Sequence, residues 1–421
     1  MSARIVRPQT ILGVLTAINF VNYVDRYLVA AVSPKFQEEL GLSNAQTGFT
    51  ISAFMLGYFL TSPAFGWLGD RRFAKAGGDA TTIRRWLMAI GVLLWSVATA
   101  ASGLAHGATS MVLARIAVGV GEASYATLAP TIIDDLAPPA KKNRWLAIFY
   151  LAIPVGSALG FLLGGVLEEH FGWRAAFFVA GGPGVALALI VPTIAEPAPR
   201  AHDDASQTRG VAALGALGRS ALYVACVAGL TAYTFALGGF PAWAPKFLYE
   251  VHAMKLSVAD FWFGVVTVLA GLFGTIAGAW LADRALPAQC DDETRIRRYL
   301  RFSGLATVVG VPAAALSLYT PSSTTFFVAI FVCEVALFAS TSPINVVILG
   351  SVPRSLRATA MAVSIFTQHL LGDLVSPPLI GKIADVTHSL RTGMWILPVA
   401  IALAATVWLG GVRARLVRED A

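Results

Sequence analysis

Charged side chains are scarce in this chain of 421 residues, since Asp, Glu, Lys and Arg make up only 13% of it. An ordinary soluble domain has about 25%, so the composition argues against that class of protein. Cysteine is also rare. The three cysteines, Cys226, Cys290 and Cys333, have no metal-ligand spacing, so they indicate neither a disulfide framework nor a zinc site.

Apolar residues, in contrast, make up 56% of the chain, and they recur in runs of about 20 residues, the length that crosses a bilayer as a helix. The runs are continuous rather than alternating, which favours helices over barrel strands. We therefore expect an all-α membrane protein with twelve transmembrane helices. The predicted spans are 9–32, 47–68, 86–105, 109–133, 145–168, 174–194, 219–246, 260–282, 299–319, 324–349, 357–381 and 391–412.

Lys and Arg residues lie mostly in the N-terminus and in every second segment between spans. Because such segments face the cytoplasm by the positive-inside rule, we expect both termini to be cytoplasmic. This topology also explains the net charge of +7, so no nucleic-acid partner is expected. Asn19 and Asp25 interrupt the first apolar run and argue against a cleaved signal peptide there.

The sequence also repeats itself, because GWLGDR at 66–71 ends span two and AWLADR at 279–284 ends span eight. Between spans six and seven lies AEPAPRAHDDASQTRG, whose Pro, Ala and charged residues predict a flexible cytoplasmic linker. We predict an N-terminal six-helix half at 1–194, the linker at 195–218 and a C-terminal six-helix half at 219–421. Two parallel six-helix repeats resemble the major facilitator superfamily over the full chain.

GWLGDR resembles the signature G-x-x-x-D-[RK] of that superfamily, although the further basic residues of the pattern are displaced by an AKAGGDA insertion. Gly66 would let a neighbouring helix approach closely, and Asp70 near a helix C-terminus needs a base or a helix N-terminus opposite it. We interpret Asp70 and Arg71, with their echo Asp283 and Arg284, as a gate latch. The alternative is an ordinary solvated turn.

Ionisable side chains inside a membrane span cost a few kcal/mol each and require a partner or a water-filled cavity. The candidates in this sequence are Asp25, Arg26, Arg115, Glu122, Glu334, His369 and Asp373. Asp25 and Arg115 fall at similar depths, so we expect them to meet. Glu122 follows Arg115 by two helical turns, so both should project from one face.

In the first half, the acids Asp25 and Glu122 balance the bases Arg26 and Arg115 only while both acids are ionised. Protonation of either acid would release an arginine, which links proton binding to helix rearrangement. This pattern suggests proton coupling, with Asp25 as the favoured carrier and Arg26 as a gate or interface base. The alternative is a static salt-bridge network that fixes helix packing, and the two are compatible.

In the second half, Glu334 lies near the middle of span ten without a base in its own helix. It is a candidate cavity acid for substrate or proton, the alternative being a core glutamate satisfied by backbone or serine. His369 and Asp373 share a face of span eleven. Their spacing fits a structural hydrogen bond as well as a proton relay.

Four stretches resemble the spinster subgroup of the superfamily, whose members move sphingosine 1-phosphate or lysophospholipids, with proton coupling proposed. They are NYVDRY at 22–27, RIAVGVGEASYATLAPTIIDD at 115–135, FYLAIPVGSALG at 149–160 and HLLGD at 369–373. The resemblance implies that Asp25 is the buried acid of helix one, that Arg115 and Glu122 are the arginine and glutamate of helix four, and that Glu334 is the acid of helix ten.

We therefore expect a secondary active transporter that exports a lysophospholipid or a sphingosine-1-phosphate-like lipid by alternating access, coupled to protons. The alternative is a proton-driven transporter of multiple drugs or small organic anions. Arginine binds phosphate through paired hydrogen bonds. The expected substrate-binding residues are Glu334, Arg115, Asn22, Tyr125, Phe331 and His369.

An enzyme is not expected, because the sequence has no G-x-S-x-G, H-E-x-x-H or P-loop motif, and Ser124 lacks an obvious histidine partner. A scaffold without transport would not need balanced buried charges. We expect no cofactor and no metal. The expected partners are the amphipathic lipid, protons and the lipid bilayer, with the chain as a monomer. Its Arg-rich, Lys-poor and Ala-rich usage favours a bacterial inner membrane.

Overall fold

A computed structural model describes residues 7–70, 73–74, 80–81, 83–138, 141–195, 211–286 and 290–414. Within these residues, strand structure is limited to one short antiparallel pair, β1 (Phe73–Ala74) and β2 (Ala80–Thr81). The remaining regular structure is helical, as the continuous apolar runs predict.

The helices before residue 195 are α1 (Pro8–Ala31), α2 (Ser33–Leu40), α3 (Asn44–Ser52), α4 (Phe54–Asp70), α5 (Arg84–Ser102), α6 (Ala108–Leu136), α7 (Lys142–Phe171) and α8 (Trp173–Ile190). Those after residue 210 are α9 (Val211–Arg219), α10 (Ala221–Val251), α11 (Leu256–Arg284), α12 (Asp292–Tyr319), α13 (Ser323–Phe338), α14 (Thr341–Gly350), α15 (Arg357–Gln368), α16 (Ser376–Thr387), α17 (Leu390–Met394) and α18 (Ile396–Gly411). A π-helix, His369–Asp373, joins α15 to α16.

Eleven helical segments of the described chain are long and apolar enough to cross a membrane, and they coincide with predicted spans two to twelve. The chain is therefore a multi-pass membrane protein. The first predicted span is helix α1, with 24 residues. Helix α1 is not among the eleven segments because its polar residues Asn19, Asn22, Asp25 and Arg26 lower its mean hydropathy.

The chain forms two compact units. The first contains Met1–His202 and Lys255–Gly264, and the second contains Asp203–Met254 and Val265–Ala421. The predicted linker falls mostly on residues 196–210, outside the described chain. Its last part is not a flexible segment, because Val211–Arg219 is helix α9, which buries Ala213 and Leu217.

In the first unit, α1 packs along α7, while α6 packs against α4 and α5. The glycines of α6 make the second arrangement possible. A Cβ atom added at Gly119 would lie 1.7 Å from the carbonyl oxygen of Phe54, and one at Gly121 would lie 2.4 Å from that of Gly91. Gly119 therefore lets α4 approach α6 closely from one side, and Gly121 lets α5 approach it from the other.

Glu39 of α2 fixes the segment that follows α1. Its carboxylate accepts hydrogen bonds from Trp173 Nε1, at 2.6 Å, and from Arg174 Nη2, at 2.8 Å, both at the start of α8. The hydrogen bond from Trp173, followed by that from Arg174, lowers the pKa of Glu39 below its usual value. Glu39 is therefore ionised at neutral pH and holds α2 against α8.

In the second unit, α10 packs against α18 and the π-helix, and α12 packs against α13 and α18. Buried donors anchor these contacts. Tyr233 donates to the carbonyl oxygen of Leu337 at 3.0 Å, and Trp408 Nε1 donates to that of Cys226 at 3.2 Å. Both cysteines in the spans, Cys226 and Cys333, are buried free thiols.

Candidate functional site

A cluster of four charged side chains lies on α1 and α6 in the first unit. Arg115 and Glu122 are 0% exposed, and Asp25 is 1% exposed. Arg26 is partly buried, with a side-chain exposure of 20%. The sequence therefore identified a buried cluster, in which Arg115 interacts electrostatically with Asp25 and Glu122 as helical depth suggested, and the structure adds a direct ion pair between Arg26 and Glu122.

Arg26 is the residue that pairs with Glu122. Its Nη2 and Nε atoms lie 2.8 and 2.9 Å from Glu122 Oε2. The guanidinium also lies over the ring of Phe54, at 4.9 Å, and over that of Tyr23, at 5.1 Å. A charge-assisted pair of this length is among the strong hydrogen bonds of a protein. Arg26 thus belongs to the cluster as the partner of Glu122.

Asp25 accepts a hydrogen bond from Thr99 Oγ1 of α5 at 2.9 Å, and it interacts with Arg115, as expected, through charge without a hydrogen bond. Its second carboxylate oxygen, Oδ1, has no hydrogen-bond partner within the described residues. Sequence reasoning missed Thr99 because depth was compared only among charged residues. Extending the same comparison to hydroxyl side chains would have included it.

Arg115 differs from Arg26 in that it interacts with the acids Glu122 and Asp25 through charge alone. In the part of the chain that the structure describes, its Nε, Nη1 and Nη2 atoms make no hydrogen bond. Its guanidinium lies 5.8 Å from the ring centroid of Phe54, the ring that Arg26 also covers. A buried planar cation with free donors is chemically suited to an anion with several oxygens, such as a phosphate.

Two polar neighbours of the cluster have different environments. Asn22 is 3% exposed, and its amide nitrogen has no partner among the described residues, so it stays a candidate for substrate contact. Tyr125 is a packing residue in this structure. Its hydroxyl donates to the carbonyl oxygen of Leu15, and its ring packs edge-on against Trp95 at 5.6 Å.

Glu334 is a buried acid of α13 in the second unit. Thr267 Oγ1 of α11 donates to Glu334 Oε1 at 3.1 Å, whereas Oε2 has no partner within the described residues. The hydroxyl partner is a threonine, where the sequence suggested serine or backbone. Phe331, one helical turn earlier, is half-buried.

His369 and Asp373 interact within the π-helix. His369 Nδ1 lies 3.0 Å from Asp373 Oδ1 and 2.9 Å from Oδ2. The wider turn brings this backbone close to α10, since a Cβ atom added at Gly372 would lie 3.0 Å from the carbonyl oxygen of Thr231. π-helical turns are frequent at functional sites. The contact between His369 and Asp373 therefore fits a proton relay as well as a structural hydrogen bond.

The gate motif is only partly visible. Arg71 and the side chain of Asp70 lie outside the described residues. Gly66 is not the point of close approach, because an added Cβ atom would make an ordinary 3.7 Å contact with Thr127. That point is Gly69, where an added Cβ atom would lie 2.3 Å from Leu128 Cδ2.

In the second-half echo of the motif, both charged residues have neighbours within the second unit. Asp283 accepts a hydrogen bond from the hydroxyl of Tyr299 on α12. The Arg284 guanidinium lies 4.8 Å from the ring centroid of Trp280. These contacts fix the end of α11, and the latch role stays a prediction.

Three buried charges escaped the sequence reasoning, and one of them, Arg84 of α5, is 5% exposed and pairs with Asp135 at 2.7 Å. Lys246 of α10 is 3% exposed and pairs with Glu250 at 3.4 Å. Asp260 of α11 is 0% exposed, and its carboxylate oxygens have no hydrogen-bond partner in the described chain. The sequence predicts Lys246 and Asp260 at the ends of spans, where charged side chains usually reach water. The helices extend further, since α10 ends at Val251 and α11 begins at Leu256.

Comparison with known proteins gives a consistent result. The family model described as Major Facilitator Superfamily matches residues 15–377. The probable sphingolipid transporter spinster homolog 2 of Arabidopsis thaliana is 31% identical, over 96% of this chain and 87% of its own length. Human protein spinster homolog 1 is 33% identical, over 90% of this chain and 73% of its own.

A solved structure has the same fold. The crystal structure of a bacterial homologue of the human lysosomal transporter Spinster, in an inward-facing and occupied conformation, matches with a TM-score of 0.81 at 22% sequence identity. The match covers 97% of each chain.

Proposed function

The chain belongs to the spinster family of the Major Facilitator Superfamily, and we propose that this transporter exports a lysophospholipid or a sphingosine-1-phosphate-like lipid, coupled to protons, by alternating access. Its membership makes it a membrane transporter, and the proteins of this family are not enzymes. The substrate and the coupling are supported by the charge cluster described above.

The observation that carries the substrate proposal is the state of Arg115. Its guanidinium is completely buried, yet three nitrogen donors are without partners in the described chain. Asp25 and Glu122 balance its charge electrostatically, but they leave its hydrogen-bonding capacity unused. An anionic headgroup would use that capacity through paired hydrogen bonds. The name of the Arabidopsis relative, a probable sphingolipid transporter, agrees with a lipid that carries such a headgroup.

The observation that supports proton coupling is the contact between Arg26 and Glu122. Protonation of Glu122 would remove the charge that holds Arg26 and would leave this second guanidinium free. Asp25 keeps only the Thr99 hydrogen bond, with one oxygen open to a proton. A proton bound at either acid changes the net charge that the headgroup meets, so the two binding events are thermodynamically coupled.

We further propose a bacterial inner membrane as the location, because the sequence is rich in Arg and Ala and poor in Lys. Both termini would lie in the cytoplasm, because the basic residues are concentrated in the N-terminus and in alternate connecting segments. The predicted halves at 1–194 and 219–421 would move as the two rocking bodies of alternating access.

Transport by purified protein in proteoliposomes tests this function. We expect labelled lysophospholipid or sphingosine 1-phosphate to be transported at a rate that depends on an imposed pH gradient. The variants D25N and E122Q should lose that dependence because neither side chain can then gain or lose a proton. E39Q is the matched control, since Glu39 is an acid of the same unit outside the cluster.

Three outcomes separate the alternatives. Absence of flux and binding for every lipid tested would refute the lipid substrate. Flux of small organic anions or cationic drugs without competition by lysolipids would favour the alternative substrate class. Unchanged pH dependence in both D25N and E122Q would refute coupling through these two acids.

A further inference from the structure

The start of α11 packs on the end of α7 within the first unit. Residues 255–264 belong to that unit, whereas the rest of α11 belongs to the second. The rings of Phe161 and Phe263 meet edge-on in this contact, with their centroids 5.3 Å apart. At Gly165 of α7, an added Cβ atom would lie 2.8 Å from the Cα atom of Ser257. The two helices are therefore in close contact along this stretch.

Asp260 lies inside this contact as a buried acid. It is 0% exposed, and neither of its carboxylate oxygens has a hydrogen-bond partner in the described chain. Its Oδ2 atom faces α7, since a Cβ atom added at Gly165 would lie 2.8 Å from it. A buried carboxyl group that has neither a hydrogen bond nor a base beside it is strongly disfavoured in its ionised form and takes up a proton instead.

The charged groups near this acid do not balance it. Among the described residues, the charge that acts on Asp260 is that of Glu168, an acid of α7. Lys35 of α2 acts on Glu168, and Lys255 at the start of α11 forms an ion pair with Glu169. In the described chain these two bases thus act on the glutamates, and Asp260 faces a like charge. A like charge nearby also favours the protonated form of an acid.

Polar groups lie at the exposed edge of the same contact. Lys255 and Glu169 have side-chain exposures of 63% and 30%, and Glu169 accepts a hydrogen bond from Ser257 Oγ at 2.5 Å. His170 Nδ1 lies 2.9 Å from the carbonyl oxygen of Val166 in its own helix. Asp260 follows Lys255 by five residues, about 7.5 Å along α11. The buried acid therefore lies a short distance from exposed, ionisable groups.

We propose that Asp260 is a proton-binding site, separate from the charge cluster on α1 and α6, and that its bound proton holds the start of α11 on α7. Loss of the proton would leave an uncompensated charge inside the contact, beside Glu168, and would loosen it. The inference goes beyond the proposed function, because it assigns a proton to a residue outside the cluster and does not depend on the substrate. With the topology proposed above, α7 ends on the external side, so external pH would set the occupancy of this site.

Infrared spectroscopy of the purified protein tests the bound proton directly, because a protonated carboxyl group has a C=O stretching band that a carboxylate lacks. At neutral pH the wild type should show a carboxyl band that is missing from D260N, and this band should disappear reversibly at alkaline pH. D292N is the matched control, since Asp292 has a side-chain exposure of 88%, and it should keep the band. Identical carboxyl bands in the wild type and D260N would refute the proton site.

A second variant keeps the test valid if D260N does not fold. E168Q removes the neighbouring acid, so the Asp260 proton should be lost more easily and the band should disappear at a pH lower by about one unit. A band that responds to pH in the same way in E168Q and the wild type would contradict the role of Glu168 in retaining the proton.

The effect of the proton on helix packing is measured by thiol labelling in the C290S background. Ser257 is half-buried in the contact, whereas Val258 beside it is 41% exposed, so the labelling rate of S257C divided by that of V258C corrects for the pH dependence of the thiol reaction. This ratio should rise several-fold from neutral to alkaline pH, and it should stay constant when D260N is added. A ratio that does not change with pH, or that rises equally in D260N, would overturn the control of this contact by the proton.

Discussion

Arg26 and Arg115 lie in the same buried cluster but differ in their hydrogen bonds, and this difference predicts different effects of their removal on stability and on binding. Arg26 shares a short ion pair with Glu122, and removal of one partner from a buried pair costs about 3–5 kcal/mol. Arg115 has no hydrogen bond to lose within the described chain. Its charge still balances Asp25 and Glu122, so replacing Arg115 alone leaves a buried acid without a base, which costs stability.

We therefore predict that R26M lowers the free energy of unfolding by about 3 kcal/mol, whereas R115M lowers it by less, because only an electrostatic interaction and no hydrogen bond is lost. R115M should nevertheless lose the binding of anionic lysolipids, because the free donors are gone. Thermal unfolding in one detergent and lysolipid binding measure the two effects.

The double variant R26M/E122L is the control, since it removes both charges and should recover most of the stability that R26M loses. Equal destabilisation by R26M and R115M would contradict the assignment of Arg115 as an unpaired, substrate-directed residue.

The sequence was sufficient to find these buried charges, because an ionisable residue in an apolar span is rare and costly. The sequence could not predict which of the buried acids and bases form direct ion pairs. Asp25 and Arg26 point about 100° apart around one helix, so a modest rotation of α1 decides which of them meets α6. That rotation depends on how α1 packs against α7, whose Gly156 and Gly160 approach its backbone closely. These contacts lie more than 100 residues away in the chain, so no local pattern records them.

The close contact between α4 and α6 offers a direct test of how the helices pack. Gly119 of α6 faces the backbone of α4, and a Cβ atom there would lie 1.7 Å from the carbonyl oxygen of Phe54. A backbone atom cannot turn aside as a flexible side chain can. Gly66 of α4, which belongs to the signature motif, has only an ordinary contact with Thr127.

We predict that G119A destabilises the protein by about 3 kcal/mol or more, while G66A changes stability by less than about 0.5 kcal/mol. The two variants make the same chemical change in the same pair of helices. Thermal unfolding of both in the same detergent measures the difference. If G119A were as stable as G66A, the close approach of α4 and α6 would be contradicted.

The positions of the helices were predictable because each span needs about 20 apolar residues to cross the bilayer. Their ends were harder to place, because polar residues at a span end reach water by extending along the membrane surface. Lys246 and Asp260 were therefore taken as end residues, although the longer helices bury both. The π-helix at 369–373 depends on packing against α10 and has no signal of its own in HLLGD.

On the scale of the whole molecule, orientation in the membrane is the property that the positive-inside rule predicts but that the helix contacts do not determine. The rule depends on how the basic segments behave during insertion. It places the segment between α11 and α12, which contains Cys290, in the cytoplasm. This cysteine is half-buried, whereas Cys226 and Cys333 are buried within their helices.

We predict that a membrane-impermeant maleimide labels Cys290 in inverted membrane vesicles and leaves it unlabelled in intact spheroplasts. The expected cytoplasmic location follows from the concentration of Lys and Arg in alternate segments. The variant C290S is the control and should not be labelled in either preparation, because the two remaining thiols lie inside the membrane-spanning helices. Labelling of Cys290 from the outside of spheroplasts would reverse the topology and place both termini on the external face.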